Sequence, residues 1–219
     1  MKIEIEKELT SLHSSTSLIV LSYNAKVEKS SPELLTLIQK KIAETTNNLV
    51  LDELPNLPQI KATRQAYRNF GKAPTSYRNA AEAMLRRIIK RNGLYQINNV
   101  VDINNFMSIS TGYSIGTYDI AFLQEPIVLK IASAGEKYQG IGKDEFNIEN
   151  LPTLYDEQGA FGNPSSDSNR AMITTKSQTI VSVIYSFSKP DGLTTIIEEY
   201  KNLLTKYCQA TNIQVQIIQ

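Results

Sequence analysis

LRRIIKRNGLYQINNVVDINN (85–105) is where a basic helix gives way to an apolar core studded with asparagine, and the reading of both halves of the chain starts there. On its N-terminal side a helix is expected from Ser76 to Arg91. Ser76 is placed to cap it, and Gly93 stands where a left-handed stop is wanted. Ala80, Ala81, Met84, Leu85, Ile88 and Ile89 fall on one face of that helix. Arg86, Arg87, Lys90 and Arg91 crowd its last turn, where cations also favour the helix dipole. On the C-terminal side the pattern is read as a strand, Asn99 to Ile103. Asparagine and aspartate are poor strand residues, so the polar density around Val100 and Val101 needs a reason.

Working outward, Lys2 to Glu6 alternates as a short strand, and Ser17 to Val27 holds the continuous run Leu18-Ile19-Val20-Leu21 of a buried strand. Ser31-Pro32 opens a helix with a cap and an N1 proline, and Leu34, Leu35, Leu37, Ile38 and Ile42 form its stripe. Prolines 55 and 58 break regular structure, and Ala62 to Phe70 reads as a helical turn or two. Strands are expected at Ile127–Ala132 and Thr179–Phe187, a helix from Gly192 to Cys208, and a closing strand carrying Ile213, Val215 and Ile217. GYSIGTYDI (112–120) and Asp144 to Asn169 read as loops. Strands cluster rather than alternate with helices, which predicts α+β architecture over a doubly wound sheet. The 219 residues are read as one domain, the first sixty completing its core.

Composition narrows the chemistry. One cysteine, Cys208, excludes an internal disulfide and a paired-cysteine zinc site, and one histidine, His13, excludes a histidine cluster. No metal and no cofactor are expected. No apolar run approaches the ~20 residues of a membrane span, and the N-terminus lacks an apolar signal stretch. A cytoplasmic protein without a membrane partner is expected. Net charge is +1, yet Lys61 to Arg91 holds nine basic residues against one acid, Glu82: +8 there and −7 elsewhere. Such a segment is either a solvated face or an address for a polyanion.

Four polar clusters are candidates for chemistry. Asn98, Asn99 and Asp102 sit beside apolar residues, with Asn104 and Asn105 read as pinning nearby backbone. Gly116, Tyr118 and Asp119 follow on a glycine-bearing segment. Glu136 stands on a glycine-rich corner, either solvated or a general acid or base. Ser166, Asp167 and Arg170 lie in NPSSDSNRAMITT (163–175), where Asp167 and Arg170 either pair or line a pocket. No histidine stands near these serines to activate them.

Taken in order, LRRIIKRNGLYQINNVVDINN (85–105), GYSIGTYDI (112–120) and IVLKIASAGEKY (127–138) resemble the B3/B4 domain of the phenylalanyl-tRNA synthetase β subunit. GKAPTSYRNAAEAMLRR (71–87) and SSDSNRAMITT are similar to freestanding relatives of that module. The resemblance implies a β-barrel-like or sandwich core with peripheral helices and, in the synthetase, a pocket that hydrolyses tyrosine misattached to tRNA. Where the module carries histidine this chain has Gly116, and its Gly-Gly-Glu segment has no counterpart, so tyrosine specificity is not carried over. The expected function is tRNA binding with deacylation of a mischarged aminoacyl-tRNA in trans; the alternatives are a tRNA- or aminoacyl-binding module without catalysis, and an amino-acid sensor. Arg64, Arg68, Lys72, Arg78, Arg86, Arg87, Lys90 and Arg91 are the expected tRNA contacts, and no DNA partner is expected.

Overall fold

The computed structural model describes residues 1–142, 144–189 and 192–219. Strand β1 (Ile3–Ile5), helix α1 (Lys7–Leu12) and strand β2 (Ser17–Asn24) are followed by three helices, α2 (Pro32–Asn48), α3 (Pro58–Asn69) and α4 (Ala80–Ile89). Helix α5 (Asn99–Thr111) leads into β3 (Ser114–Asp119), β4 (Ile127–Ile131), β5 (Lys137–Gln139), β6 (Glu145–Asn147), β7 (Pro152–Asp156) and β8 (Gly159–Gly162). Strand β9 (Thr179–Ser186), helix α6 (Leu193–Cys208) and strand β10 (Thr211–Ile218) complete the order.

β2 explains the layering. Its apolar run is buried on both faces: Ile19, Leu21 and Tyr23 join one core, Leu18 and Val20 another. A strand covered on both sides has no polar face to alternate with, hence the unbroken run. β2 lies inside an antiparallel sheet of order β10-β2-β9-β3, in which Val183 of β9 faces Val20 on one side and Gly116 of β3 on the other. Helices α2, α5 and α6 cover one face through Leu34, Val100, Met107, Tyr200 and Leu204. A second sheet, β1-β4-β7-β8, covers the other through Ile127, Leu129, Leu154 and Phe161. β1 runs parallel to β4 and the other pairs are antiparallel. The result is α+β with three layers, helix, sheet and sheet, and neither sheet closes into a barrel. Each fully buried aliphatic side chain here is worth about 1.5–3 kcal/mol. Residues 1–60 supply β1, β2 and α2, and so a strand to each four-stranded sheet and a helix to the outer layer.

Several elements differ from the sequence reading. Residues 99–103, expected as a strand, open α5, because the Asn98 side chain caps the helix at Val101 N, 3.0 Å away. α5 is buried nearly all round, so its apolar residues show no single-faced period that would have marked a helix. The basic helix begins at Ala80, not Ser76: Asn79 Oδ1 accepts from Glu82 N at 2.9 Å, while Ser76 sits in a preceding turn. α3 runs three full turns rather than one or two. Residues 114–119, read as loop, form β3, and the stretch 144–169 contains β6, β7 and β8. Among the described residues no helix is long and apolar enough to cross a membrane, and no group of three His, Cys, Asp or Glu residues is placed to hold a metal ion.

Candidate nucleic-acid interface

The start of α4 is tied to the loop after β8: Ala80 N donates to the Pro164 carbonyl at 2.7 Å. That bond sets the basic helix beside residues 163–168. Within the helix, Glu82 is fully buried and collects arginines. Arg64 Nη1 reaches both its oxygens, at 3.1 and 3.0 Å, and Arg86 Nε donates at 3.1 Å. Arg78 Nε stands 3.8 Å away. A buried carboxylate needs such partners, and Arg78 and Arg86 keep 42 % and 27 % of their side chains exposed while paired to it.

Along the outer side of α4 runs a groove of about 550 Å³ lined by Arg78, Arg86, Arg87 and Lys90, by Tyr77 and Phe146, and by Ser165 at its inner end. Its volume falls within the ~300–1,000 Å³ usual for ligand pockets. Arg87 stacks on Tyr95, 4.1 Å from the ring centroid, and its Nε is buried without a hydrogen-bond partner among the described residues. Tyr77 meets Phe146 edge-on at 6.0 Å. The groove therefore combines four cations with two aromatic rings, the pairing that backbone phosphates and unstacked bases require.

The other expected basic contacts lie elsewhere. Arg64 has an 11 % exposed side chain and is spent on Glu82. Lys72 is buried: its ammonium donates to the Glu149 carbonyl and lies 3.7 Å over the Tyr77 ring, and burial lowers its pKa. Lys72 thus supports Tyr77 from behind. Arg68 projects from α3 beside Gln65, and Arg91 is exposed just past α4 with φ 61°; neither lines the groove.

Below Ser165 the polar residues are closed on one another. Tyr67 hydroxyl meets Ser165 Oγ at 2.8 Å, and Asn163 Nδ2 donates to Tyr138 hydroxyl at 2.6 Å, which in turn donates to the Ser166 carbonyl. Tyr118 hydroxyl donates to Asp167 Oδ1 at 2.7 Å and meets Tyr185 hydroxyl at 2.9 Å. Asn163 N also donates to Asp167 Oδ1, at 3.3 Å. Burial pushes the Asp167 carboxyl up to about 7 despite both donors. Burial, followed by the charge of Asp167, raises the Tyr118 and Tyr185 phenols.

Two glycines make room for this arrangement. A Cβ at Gly116 would stand 2.0 Å from Tyr118 Oη, and one at Gly162 only 2.1 Å from it. The Tyr118 phenol therefore occupies the space that any side chain at 116 would enter. A histidine there, as in the module this chain resembles, and the present Tyr118 rotamer exclude each other.

Of the expected pocket residues, Gly116, Tyr118, Ser166 and Asp167 come together, and the rest do not. Asn98 caps α5. Asn99 accepts from Glu28 N and donates to the Lys26 and Tyr207 carbonyls, fastening α5 to α6. Asp102 accepts from Ile97 N at 2.9 Å and Ser30 Oγ at 2.6 Å, with its pKa raised by burial. Asp119 caps the turn at Ala121 N. Glu136 accepts from Ser133 N and Tyr155 hydroxyl, each at 2.6 Å. Arg170 pairs with Asp156 at 2.8 and 3.0 Å, not with Asp167. The role of Glu82 in gathering the arginines and the tyrosines 67, 138 and 185 were missed from sequence. Tyr77, adjoining Arg78 in the basic segment, carried a usable signal; the three tyrosines, far apart in sequence, carried none.

The B3/4 domain model matches residues 62–202, well over half of the chain. The chain belongs to the B3/4 domain family. α4, α5 and most of α3 and α6, and with them the groove and the tyrosine cluster, fall within the matched span; β1, β2 and β10 fall outside it. Among solved structures, this B3/4 protein is similar to an N-terminal fragment of the phenylalanyl-tRNA synthetase beta-subunit from Pyrococcus horikoshii. Identity is 13% and the TM-score 0.48, over 99% of this chain and 50% of that one, so the chain spans half the length of the fragment. No match was found among curated protein sequences.

Proposed function

We propose that this B3/4 domain binds the acceptor end of tRNA in the α4 groove, with the terminal nucleotides against Tyr77 and Phe146 and the aminoacyl group directed toward Ser165. The observation that carries this reading is the groove itself: Arg78, Arg86, Arg87 and Lys90 on one wall, aromatic rings beside them and a polar loop at the end. RNA ends are recognised by phosphate contacts and by stacking of splayed bases, which this composition serves without sequence-specific hydrogen bonds. Membership of the family and the motif resemblance point the same way. Titration of fluorescent tRNA into the protein tests it: Arg86→Ala with Arg87→Ala weakens binding, and unchanged affinity removes the groove from the contact.

A second reading, hydrolysis of the aminoacyl ester, is favoured by Asp167. It lies two residues from Ser165, and its pKa of about 7 is what a general base at neutral pH requires. In the free protein its carboxylate is engaged by Tyr118, so catalysis requires that hydrogen bond to yield to a water or substrate. Incubation with a panel of mischarged tRNAs separates the readings. Ester loss above buffer that Asp167→Asn abolishes, with tRNA affinity unchanged, supports hydrolysis; no acceleration by the wild type leaves binding alone.

A further inference from the structure

β10 is the one long open sheet edge among the described residues. The opposite edge of its sheet, β3, is buried, and the second sheet ends in the three-residue β1 and the four-residue β8. β10 has eight residues, and among the described residues its backbone hydrogen-bonds to β2 alone. Natural edges of this length usually carry lysine, proline or inward charge against pairing with another chain. Here no charged residue occurs after Lys206, and Val215 and Ile217 are 37 % and 52 % exposed. Short edges elsewhere and an unguarded one here distinguish β10 as a surface built to pair.

The sequence of that edge also names its partner. Ile213-Gln214-Val215-Gln216-Ile217 reads the same in both directions about Val215. Antiparallel pairing with an identical strand, two-fold at Val215, sets Val215 opposite Val215, Ile213 opposite Ile217 and Gln214 opposite Gln216. Because side chains alternate, every apolar pair then falls on one face and every glutamine pair on the other. The apolar face is the one bearing the helices, since Val215 and Ile217 are in register with Leu21 and Ile19 of the helix-covered core. No register shifted by one residue keeps this segregation. The bulge between Thr211 and Gln214, with Asn212 at φ 55°, bends the strand start away and confines the pairing to these five positions. We infer that two copies of this chain associate through β10, joining their four-stranded sheets into one eight-stranded sheet with a two-fold axis at Val215. A two-fold interface of this kind is closed and produces a dimer, not a fibre. The inference is independent of what the α4 groove binds.

Sedimentation velocity of the full chain at concentrations up to ~200 μM is expected to show a dimer that Val215→Lys converts to monomer with unchanged circular dichroism. Register is read by disulfide formation: Val215→Cys opposes its own copy, at Cβ separations of about 4.5–5.5 Å, and is expected to cross-link under mild oxidation. Glu198→Cys on the exposed side of α6 is the control, and the native Cys208 is buried. A wild-type monomer at every concentration, a dimer that survives Val215→Lys, or cross-linking at Val215→Cys no greater than at Glu198→Cys overturns the inference.

Discussion

Asp167→Asn should change how the stability of this protein depends on pH. In the folded chain the carboxyl titrates at about 7, against an ordinary value of 3.8. The native state thus holds a proton that the unfolded state has already lost, and between those two values rising pH favours unfolding. At 1.36 kcal/mol per pH unit, the full interval is worth about 4 kcal/mol, of which about 2.5 kcal/mol falls between pH 5 and pH 8. For a chain of this length that corresponds to a fall in Tm of roughly 5–10 °C. The asparagine keeps an acceptor for Tyr118 and cannot ionise, so the variant loses this slope. Other groups contribute to the wild-type profile. Asp156, whose pKa is lowered chiefly by Arg170 against the effect of burial, stabilises above its unfolded value and is lost in acid. Only the difference between wild type and variant isolates Asp167. Urea unfolding at pH 5, 6, 7 and 8 is the assay, and the expected result is a variant that gains on the wild type steadily across the range. A difference that stays constant with pH refutes the assignment of a proton to Asp167 and, with it, the hydrolytic role.

The crowding between Gly116 and Tyr118 predicts that Gly116→Ala alone destabilises by about 1–3 kcal/mol, since the phenol is fixed by two hydrogen bonds and cannot swing away freely. Combined with Tyr118→Ala, which opens a cavity costing about 3–5 kcal/mol, the Gly116 penalty should vanish in a double-mutant cycle; strict additivity in urea unfolding contradicts the steric account. Glu82→Gln removes the counter-charge shared by Arg64, Arg78 and Arg86 and should cost about 3–5 kcal/mol of stability, measured in the same way. A loss below 1 kcal/mol means that the arginines repartner or reach water without it.

The sequence was legible where a segment has one buried face or two. β2 announced itself by its unbroken apolar run, α2 by Ser31, whose hydroxyl accepts from Leu34 N, and α6 by its stripe from Leu193 to Leu204. It misled where burial came from several sides at once. In α5 the residues Asn99 and Asp102 are buried yet satisfied by partners distant in sequence, so their polarity suggested a site when they act as fasteners. Asn104, read as pinning backbone, joins α5 to β3 through the Ile115 carbonyl and Thr117. The basic segment was visible as charge, but its division was not. Glu82 and the Lys72–Tyr77 contact remove Arg64 and Lys72 from the surface and leave four cations in a groove. The tyrosine cluster depends on α3 and on three sheets bringing β3, β5, β8 and β9 together, which local pattern does not encode.

The most direct measurement of the central claim is the salt dependence of tRNA affinity. Four phosphate contacts, from Arg78, Arg86, Arg87 and Lys90, predict that affinity falls about 50- to 150-fold between 50 and 200 mM salt. Replacing Arg86 and Arg87 with alanine should flatten the slope of log affinity against log salt by nearly two. A wild-type affinity indifferent to salt, or a double variant with the wild-type slope, contradicts a phosphate-binding groove on α4.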